Sequence, residues 1–405
     1  MYMVEMDQGA KMKLGNLSLR GFRSCKDISW GPGNLNLIIG PNGSGKSNIL
    51  KFLDLIRRSA DGDCEDYILR EGGLDQVLWD NQAEKIEICL GFYRNENHEP
   101  GAPHELEYTL VIQRKGVEGD FQIEQELLRS IPNPEESRES ITFLERTPSQ
   151  SVLRSDIGND SFSLDIESHE TALSQTTHPL TKDYFASQVQ KSLSSWKIFQ
   201  SLDTSPLSQI RKPTIARRET ILSWDGSNLI SVLHTLYTTN REFERSIDLA
   251  MVAAFGEDYD TLVFPPAADK QIYLRIRWKT LRQERSASDI SDGTLRYLFL
   301  LTILAHPEPG SLIAIDEPET GLHPAMMRII AEYADAMSKR SQVIITTHSA
   351  EFLTACGGFM PGTSIIEWKE GASLIRQVSD EKLRYWLEDY TLGSLFASGE
   401  LEGME

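Results

Sequence analysis

The sequence predicts an α/β fold with a mixed, mainly parallel sheet core, an antiparallel β-lobe and an inserted helical subdomain. Three observations carry that expectation. An apolar strand over 34–39 runs into a glycine loop and a helix; a helix–strand–helix–strand series fills 294–346; and the apolar residues after about 84 alternate with period two.

The first strand, Asn34 to Ile39, is framed by Gly31-Pro32-Gly33 and Gly40-Pro41-Asn42-Gly43, turn formers on both sides. From Lys46 to Arg58 the residues Ile49, Leu50, Phe52, Leu53 and Ile56 recur at helical intervals. Between 84 and 175 short alternating runs such as Lys85–Phe92 and Glu105–Gln113 read as antiparallel strands. Ile131-Pro132-Asn133-Pro134 and Asp156–Asp160 read as exposed loops. Helical spacing returns over Thr181–Leu202 and over Ser227–Phe255, where Leu229, Val232, Leu233 and Leu236 share a face. A helix over Thr294–Ala305, a strand over Leu312–Ile315, a helix over Pro324–Ser338 and a strand over Gln342–Thr346 complete a series that implies a parallel sheet covered on both faces. Pro324 suits the first turn of its helix, and Met326, Ile329, Ile330, Tyr333 and Met337 line one side.

Composition excludes several classes. The 405 residues, 40% hydrophobic and 25% charged, are enough for two or three folded units and too apolar for a disordered chain. The longest apolar stretch, Tyr297–Ala305, falls well short of the about 20 residues that span a bilayer. Met1–Lys11 lacks the pattern of a secretory leader, so a cytoplasmic protein is expected, with no membrane partner. Cys25, Cys64, Cys89 and Cys356 match neither zinc spacing nor a disulfide framework. Lys plus Arg number 41 against 60 Asp plus Glu, and the net charge of -19 argues against nonspecific coating of DNA. Two basic runs, Arg211, Lys212, Arg217 and Arg218, then Arg275, Arg277, Lys279, Arg282 and Arg285, read as solvated faces but leave DNA open as a partner.

Gly40-Pro41-Asn42-Gly43-Ser44-Gly45-Lys46-Ser47 fits the phosphate-loop pattern and sits where that loop must, between a buried strand and a helix. Its glycines let successive N–H groups turn toward a β-phosphate, and the helix start adds its positive end. Lys46 suits the β- and γ-phosphate oxygens of ATP, and the Ser47 hydroxyl suits Mg2+. The strand Leu312-Ile313-Ala314-Ile315 ends in Asp316-Glu317, which supplies Asp316 to hold the metal through water and Glu317 as general base. Lys46 and Asp316 lie 270 residues apart, so something large is inserted between the two halves of the site.

Ser291-Asp292-Gly293-Thr294 precedes the acidic strand, Glu319-Thr320-Gly321-Leu322-His323-Pro324 follows it, and Thr346-Thr347-His348-Ser349 closes the next strand. In this order the motifs resemble the ABC-type head ATPases, in particular the stand-alone bacterial ATPases related to SMC, RecF and OLD-family proteins. Leu19-Arg20-Gly21-Phe22-Arg23-Ser24 and Asp225-Gly226-Ser227-Asn228-Leu229 extend the resemblance, which covers 95–205 only loosely. It implies a P-loop head in which Ser291, Asp292 and Gly293 touch the γ-phosphate held by a second copy, Gly321 to His323 pass between heads, and His348 senses that phosphate. It also implies a head-to-head dimer with two sandwiched ATP molecules. Ser-Asp-Gly-Thr departs from the Ser-Gly-Gly-Gln usual in transporters, and no sustained heptads provide a long arm. Gln76 and Gln82 are both candidates for the family's metal-contacting glutamine, and neither is chosen.

The expected division is a first ATPase lobe over 12–95, a β-rich and helical insertion over 96–205, a helical subdomain with return strands over 206–285, a second ATPase lobe over 286–378 and an acidic tail over 379–405. Two functions follow. One is a slow, partner-regulated ATPase that works as a dimeric conformational switch for a separate effector protein, in DNA maintenance or defence against phage. The other is a nucleic-acid-processing effector whose ATPase gates a nuclease. Only 57 residues, Ser349 to Glu405, follow His348, so the expectation places any nuclease on a partner.

Overall fold

Leu35–Ile39 consists of five buried residues whose side chains alternate between two cores: Leu35, Leu37 and Ile39 enter one, Ile38 the other. Burial on both faces marks the middle of a parallel sheet. In the computed structural model, which describes residues 12–93, 105–116, 119–132, 140–154, 161–177, 185–200, 202–387 and 389–403, this strand is fourth in a six-stranded sheet. The order is Lys197–Phe199, Leu312–Asp316, Gln342–Thr347, Leu35–Ile39, Gly362–Lys369 and Ala372–Gln377. The first five are parallel, and the last turns back antiparallel.

A second sheet of eight strands is antiparallel throughout, in the order Cys25–Trp30, Lys13–Phe22, Lys85–Tyr93, Leu106–Lys115, Asp120–Ser130, Thr142–Thr147, Gln150–Arg154 and Ser161–Ser163. Helix Lys46–Asp61 fills the space between the sheets. Its Ile49, Phe52, Leu53 and Ile56 share a core with Ile38, Ile344 and Ile366 of the parallel sheet and with Leu17, Leu19 and Ile88 of the antiparallel one. On the other face of the parallel sheet, helices Leu229–Thr239, Arg241–Phe255, Asp292–Leu304 and Pro324–Ser338 cover Leu37, Ile313 and Ile345. The result is a mixed sheet core, an antiparallel lobe and inserted helices.

The structure differs from the sequence expectations in specific places. The helix expected over 181–202 runs as Phe185–Ser194, its first residues 181–184 lying outside the described residues, and Lys197–Phe199 is an edge strand instead. Pairing of Ile198 and Phe199 with Ala314 and Ile315 decides that. Ser227–Phe255 is two helices, broken at Asn240, whose extended backbone (φ -123, ψ 106) lets its side chain accept from Phe243 N and cap the second. Arg211 is no solvated residue: its side chain is 9% exposed and ion-paired. The loop expected over Asp156–Asp160 falls outside the described residues, as does part of the Ile131–Pro134 loop. The acidic tail carries helices Asp380–Leu387, Leu392–Ala397 and Glu400–Gly403, which bury Leu383, Leu392, Leu395 and Leu401. Among the described residues, no helix is long and apolar enough to cross a membrane.

Candidate functional site

The strand Leu35–Ile39 delivers the chain to Gly40, and helix Lys46–Asp61 begins directly after Gly45, which is its N-cap. No side chain caps this helix and no acid stands in its first turn. Its leading N–H groups and dipole therefore have no side chain of the first turn to satisfy them. Gly45 has φ 104, and a Cβ there would lie 2.0 Å from Ser373 Oγ. Ser373 Oγ in turn lies 2.7 Å from both Ser24 Oγ and the Ser44 carbonyl, so the loop is braced by the first and last parts of the core.

Lys46 is only 4% exposed. Its Nζ donates to the carbonyls of Gly40 (2.9 Å) and Pro41 (3.1 Å) and stands 3.8 Å from Glu317 Oε1. Burial pushes its pKa down, against the opposing pull of Glu317, Asp316 and Glu319. Ser44 Oγ is buried without a hydrogen-bond partner among the described residues. A buried ammonium, a hydroxyl without a partner and a helix start with no capping side chain fit a bound polyphosphate, and Ser47 and Asp316 provide hard oxygen ligands that suit Mg2+.

Asp316 ends its strand opposite Thr346, whose hydroxyl donates to Asp316 Oδ1. Burial raises the Asp316 pKa, and the hydroxyls of Thr346 and Ser47 and the Lys46 charge hold it back. Glu317 has a left-handed backbone, φ 44, fixed by N–H donation to Thr346 O (3.0 Å) and Thr346 Oγ1 (3.1 Å). A non-glycine residue in that region stores strain on the order of 1–3 kcal/mol and is concentrated at functional sites. The bend brings Glu317 Oε1 to 2.9 Å from His348 Nδ1.

The structure therefore brings Lys46, Asp316, Glu317 and His348 together. Ser291, Asp292 and Gly293 lie apart from them, at the start of helix Asp292–Leu304, with Ser291 and Asp292 exposed. Ser291 Oγ accepts from Thr294 N at 3.2 Å and caps the helix. Arg211 donates to the Asp292 carboxylate and to the carbonyls of Ala287 (2.9 Å) and Ile290 (2.8 Å), which fixes the turn leading into Ser291. A Cβ on Gly293 would lie 2.5 Å from the Gly321 carbonyl oxygen, so the two loops touch backbone to backbone.

Three residues have no role in the reading from sequence, although Glu319 and Thr346 stand within its motifs. Gln200 follows the edge strand Lys197–Phe199 and lines a small, open cleft with Arg296, Asp316 and Glu317. Gln76 and Gln82, the two glutamines considered from sequence, are exposed, and Gln82 donates to Asp80. Glu319, 6% exposed, accepts from Thr347 Oγ1 (2.6 Å) and His348 N (3.1 Å). Thr346 links Asp316 to Glu317 as described. For Gln200 the only sequence signal is its place at the end of an apolar run, Trp196-Lys197-Ile198-Phe199.

Comparison with known proteins bears on the family and the fold. The OLD nuclease of Thermus scotoductus is 22% identical over 351 residues, covering 84% of this chain and 59% of the relative. The Old nuclease of Escherichia phage P2 is 24% identical over 367 residues, covering 85% of this chain and 58% of the relative. The chain thus spans less than 60% of the length of these curated relatives. The Smc head crystallised with the C-winged helix domain of ScpA superposes with a TM-score of 0.56 at 16% identity, over 92% of this chain and 99% of that one, which shows an SMC-head fold. A family model described as "AAA domain, putative AbiEii toxin, Type IV TA system" matches residues 35–354, from the strand that opens the phosphate loop to the helix beyond His348, and the chain belongs to that family.

Proposed function

We propose that the protein binds and hydrolyses ATP as a head that closes with a second copy around two nucleotides, and that this closure is a switch read by a separate effector. The observation that carries the reading is the convergence on Glu317: Lys46 Nζ 3.8 Å away, His348 Nδ1 2.9 Å away and Asp316 adjacent in the chain. In this reading the N–H groups after Gly40 and the Lys46 ammonium bind the β- and γ-phosphates. Ser47 and Asp316 hold Mg2+, with Gln200 offered as a further contact from its cleft. When bound, the metal neutralises phosphate charge and orients the terminal group. Glu317 accepts a proton from the attacking water, and His348 holds the carboxylate in place and donates toward the γ-phosphate.

Ser291, Asp292 and Gly293 belong to the same scheme from outside their own site. Ser291 and the backbone at Gly293 are exposed or half-exposed at a helix start, where they suit an anion supplied by another copy, while the Asp292 carboxylate is ion-paired with Arg211. A γ-phosphate shared by two copies adds binding energy to the closed pair, and hydrolysis removes it. The experiment is size exclusion with light scattering on Glu317→Gln in ATP and Mg2+: a dimer absent without ATP supports the reading, and a monomer that binds ATP removes the dimer.

A second reading is favoured by the curated relatives, both named as nucleases. Here the ATPase gates cleavage of nucleic acid, carried out by a partner or by parts that correspond to the unmatched share of those relatives. A metal-dependent cleavage assay on plasmid and linear DNA, with and without ATP, separates the two readings. The acidic balance, -19 overall, favours a protein partner over bare duplex.

A further inference from the structure

We propose that Glu319 is a positioning residue for hydrolysis: it fixes the turn Thr347–His348 so that the imidazole faces Glu317. The proposal rests on the ATPase reading above. It starts from a physical oddity. A carboxylate is among the most expensive groups to bury, yet Glu319 is buried in the loop that leaves the acidic strand.

Its bonds are unevenly distributed. Oε1 receives the Thr347 hydroxyl at 2.6 Å and the His348 backbone N–H at 3.1 Å, and it lies 3.6 Å from His348 Nδ1. Oε2 is buried with no hydrogen-bond partner. Both of its hydrogen bonds to other residues therefore serve two consecutive residues, Thr347 at the end of strand Gln342–Thr347 and His348 just beyond it. One buried oxygen that accepts from two consecutive residues fixes both donors relative to each other, and in a low-dielectric interior such bonds are stronger than in water.

Thr347 is held by the sheet, where it pairs with Ile39, but His348 has left that ladder. His348 is a single-residue link: Thr347 ends the strand, and Ser349 already caps the next helix by accepting from Phe352 N at 3.2 Å. Ser349 N turns back to Thr347 Oγ1 at 3.1 Å, so the hydroxyl that Glu319 grips is also the anchor of the link's far side. Without Glu319, the backbone N–H of His348 loses its described acceptor and the 2.9 Å approach to Glu317 loses its brace. Glu319 itself touches neither Glu317 nor Lys46 at hydrogen-bond distance in the described contacts, which makes it a residue that acts through His348.

The test uses the full chain with ATP and Mg2+, and compares Glu319→Ala, Glu319→Gln, Thr347→Val and His348→Ala, together with the doubles Glu319→Ala/His348→Ala and Thr347→Val/His348→Ala. The expected result is a loss of about tenfold or more in kcat for Glu319→Ala with ATP affinity within about twofold of the parent. Glu319→Gln, which keeps an oxygen acceptor, should recover most of that loss. Both doubles should be no slower than His348→Ala alone, because the pair acts as one unit. Full turnover in Glu319→Ala, or losses that multiply in the doubles, overturns the proposal. If Glu319→Ala does not fold, the Thr347→Val cycle decides by the same criterion. Absence of turnover in the parent protein strikes the ATPase reading itself, a distinct outcome.

Discussion

His348 Nδ1 stands 2.9 Å from Glu317 Oε1 while the Glu317 backbone is held at φ 44, so the close approach of the two side chains is bought with a strained bend in the main chain. A contact maintained against strain is expected to matter for turnover more than for binding. His348→Ala should lower kcat by about 10- to 100-fold and leave ATP affinity nearly unchanged. Steady-state phosphate release beside equilibrium titration of ATP checks this, and a parallel fall in both quantities would count against it.

Lys46 presents the clearest binding prediction. It is buried, lowered in pKa by that burial, and satisfied by two carbonyls and a carboxylate 3.8 Å away. Removing a charged partner of a phosphate loses on the order of 1.5–3 kcal/mol. Lys46→Ala should therefore weaken ATP at least tenfold in titration calorimetry, and an unchanged affinity would remove the loop assignment.

Gly293 tests the face between copies. A methyl group there would come within 2.5 Å of the Gly321 carbonyl oxygen, and backbone on both sides leaves no flexible side chain to yield. In the Glu317→Gln background, Gly293→Ala should abolish the ATP-dependent dimer seen by light scattering while each monomer still binds nucleotide. Retention of the dimer would mean that this helix start does not form the contact.

Asp316 gives a pH prediction. Burial raises its pKa in the folded chain above the unfolded value. The stability it contributes is fully present below the ordinary carboxylate range and is lost as pH rises through the folded value. In EDTA without nucleotide, Asp316→Asn should thus melt higher than the parent at pH 8, by an amount on the order of 2 °C, with the difference closing toward pH 4. Thermal scans at the two pH values check it, and an equal or larger gain at pH 4 would contradict the burial argument.

The phosphate loop and the acidic strand were legible in sequence because each is a local pattern: 40–47 carries its own turn chemistry, and 312–317 its own burial. The residues that escaped notice acquire their roles from distant partners. Gln200 matters because a three-residue strand pairs with Leu312–Asp316, and nothing within 197–199 announces that register. Glu319 looks like one more acid in a turn until Thr347 and His348 close over it. Arg211 reads as part of a solvated basic run, yet its acceptors are Thr204, Ala287, Ile290 and Asp292. The break at Asn240 is invisible to apolar spacing, which continues across it, and only the cap to Phe243 reveals two helices.

The strand that opens the phosphate loop has Gln342–Thr347 on one side and Gly362–Lys369 on the other, and Asn36 reaches the Val343 carbonyl 307 positions later. During synthesis, then, this strand lacks both neighbours until residues 342–369 have emerged. Such distant pairing makes maturation slow and leaves an apolar ribbon uncovered meanwhile. The loop that follows this strand can therefore take its final place only once both of those segments are there to flank it.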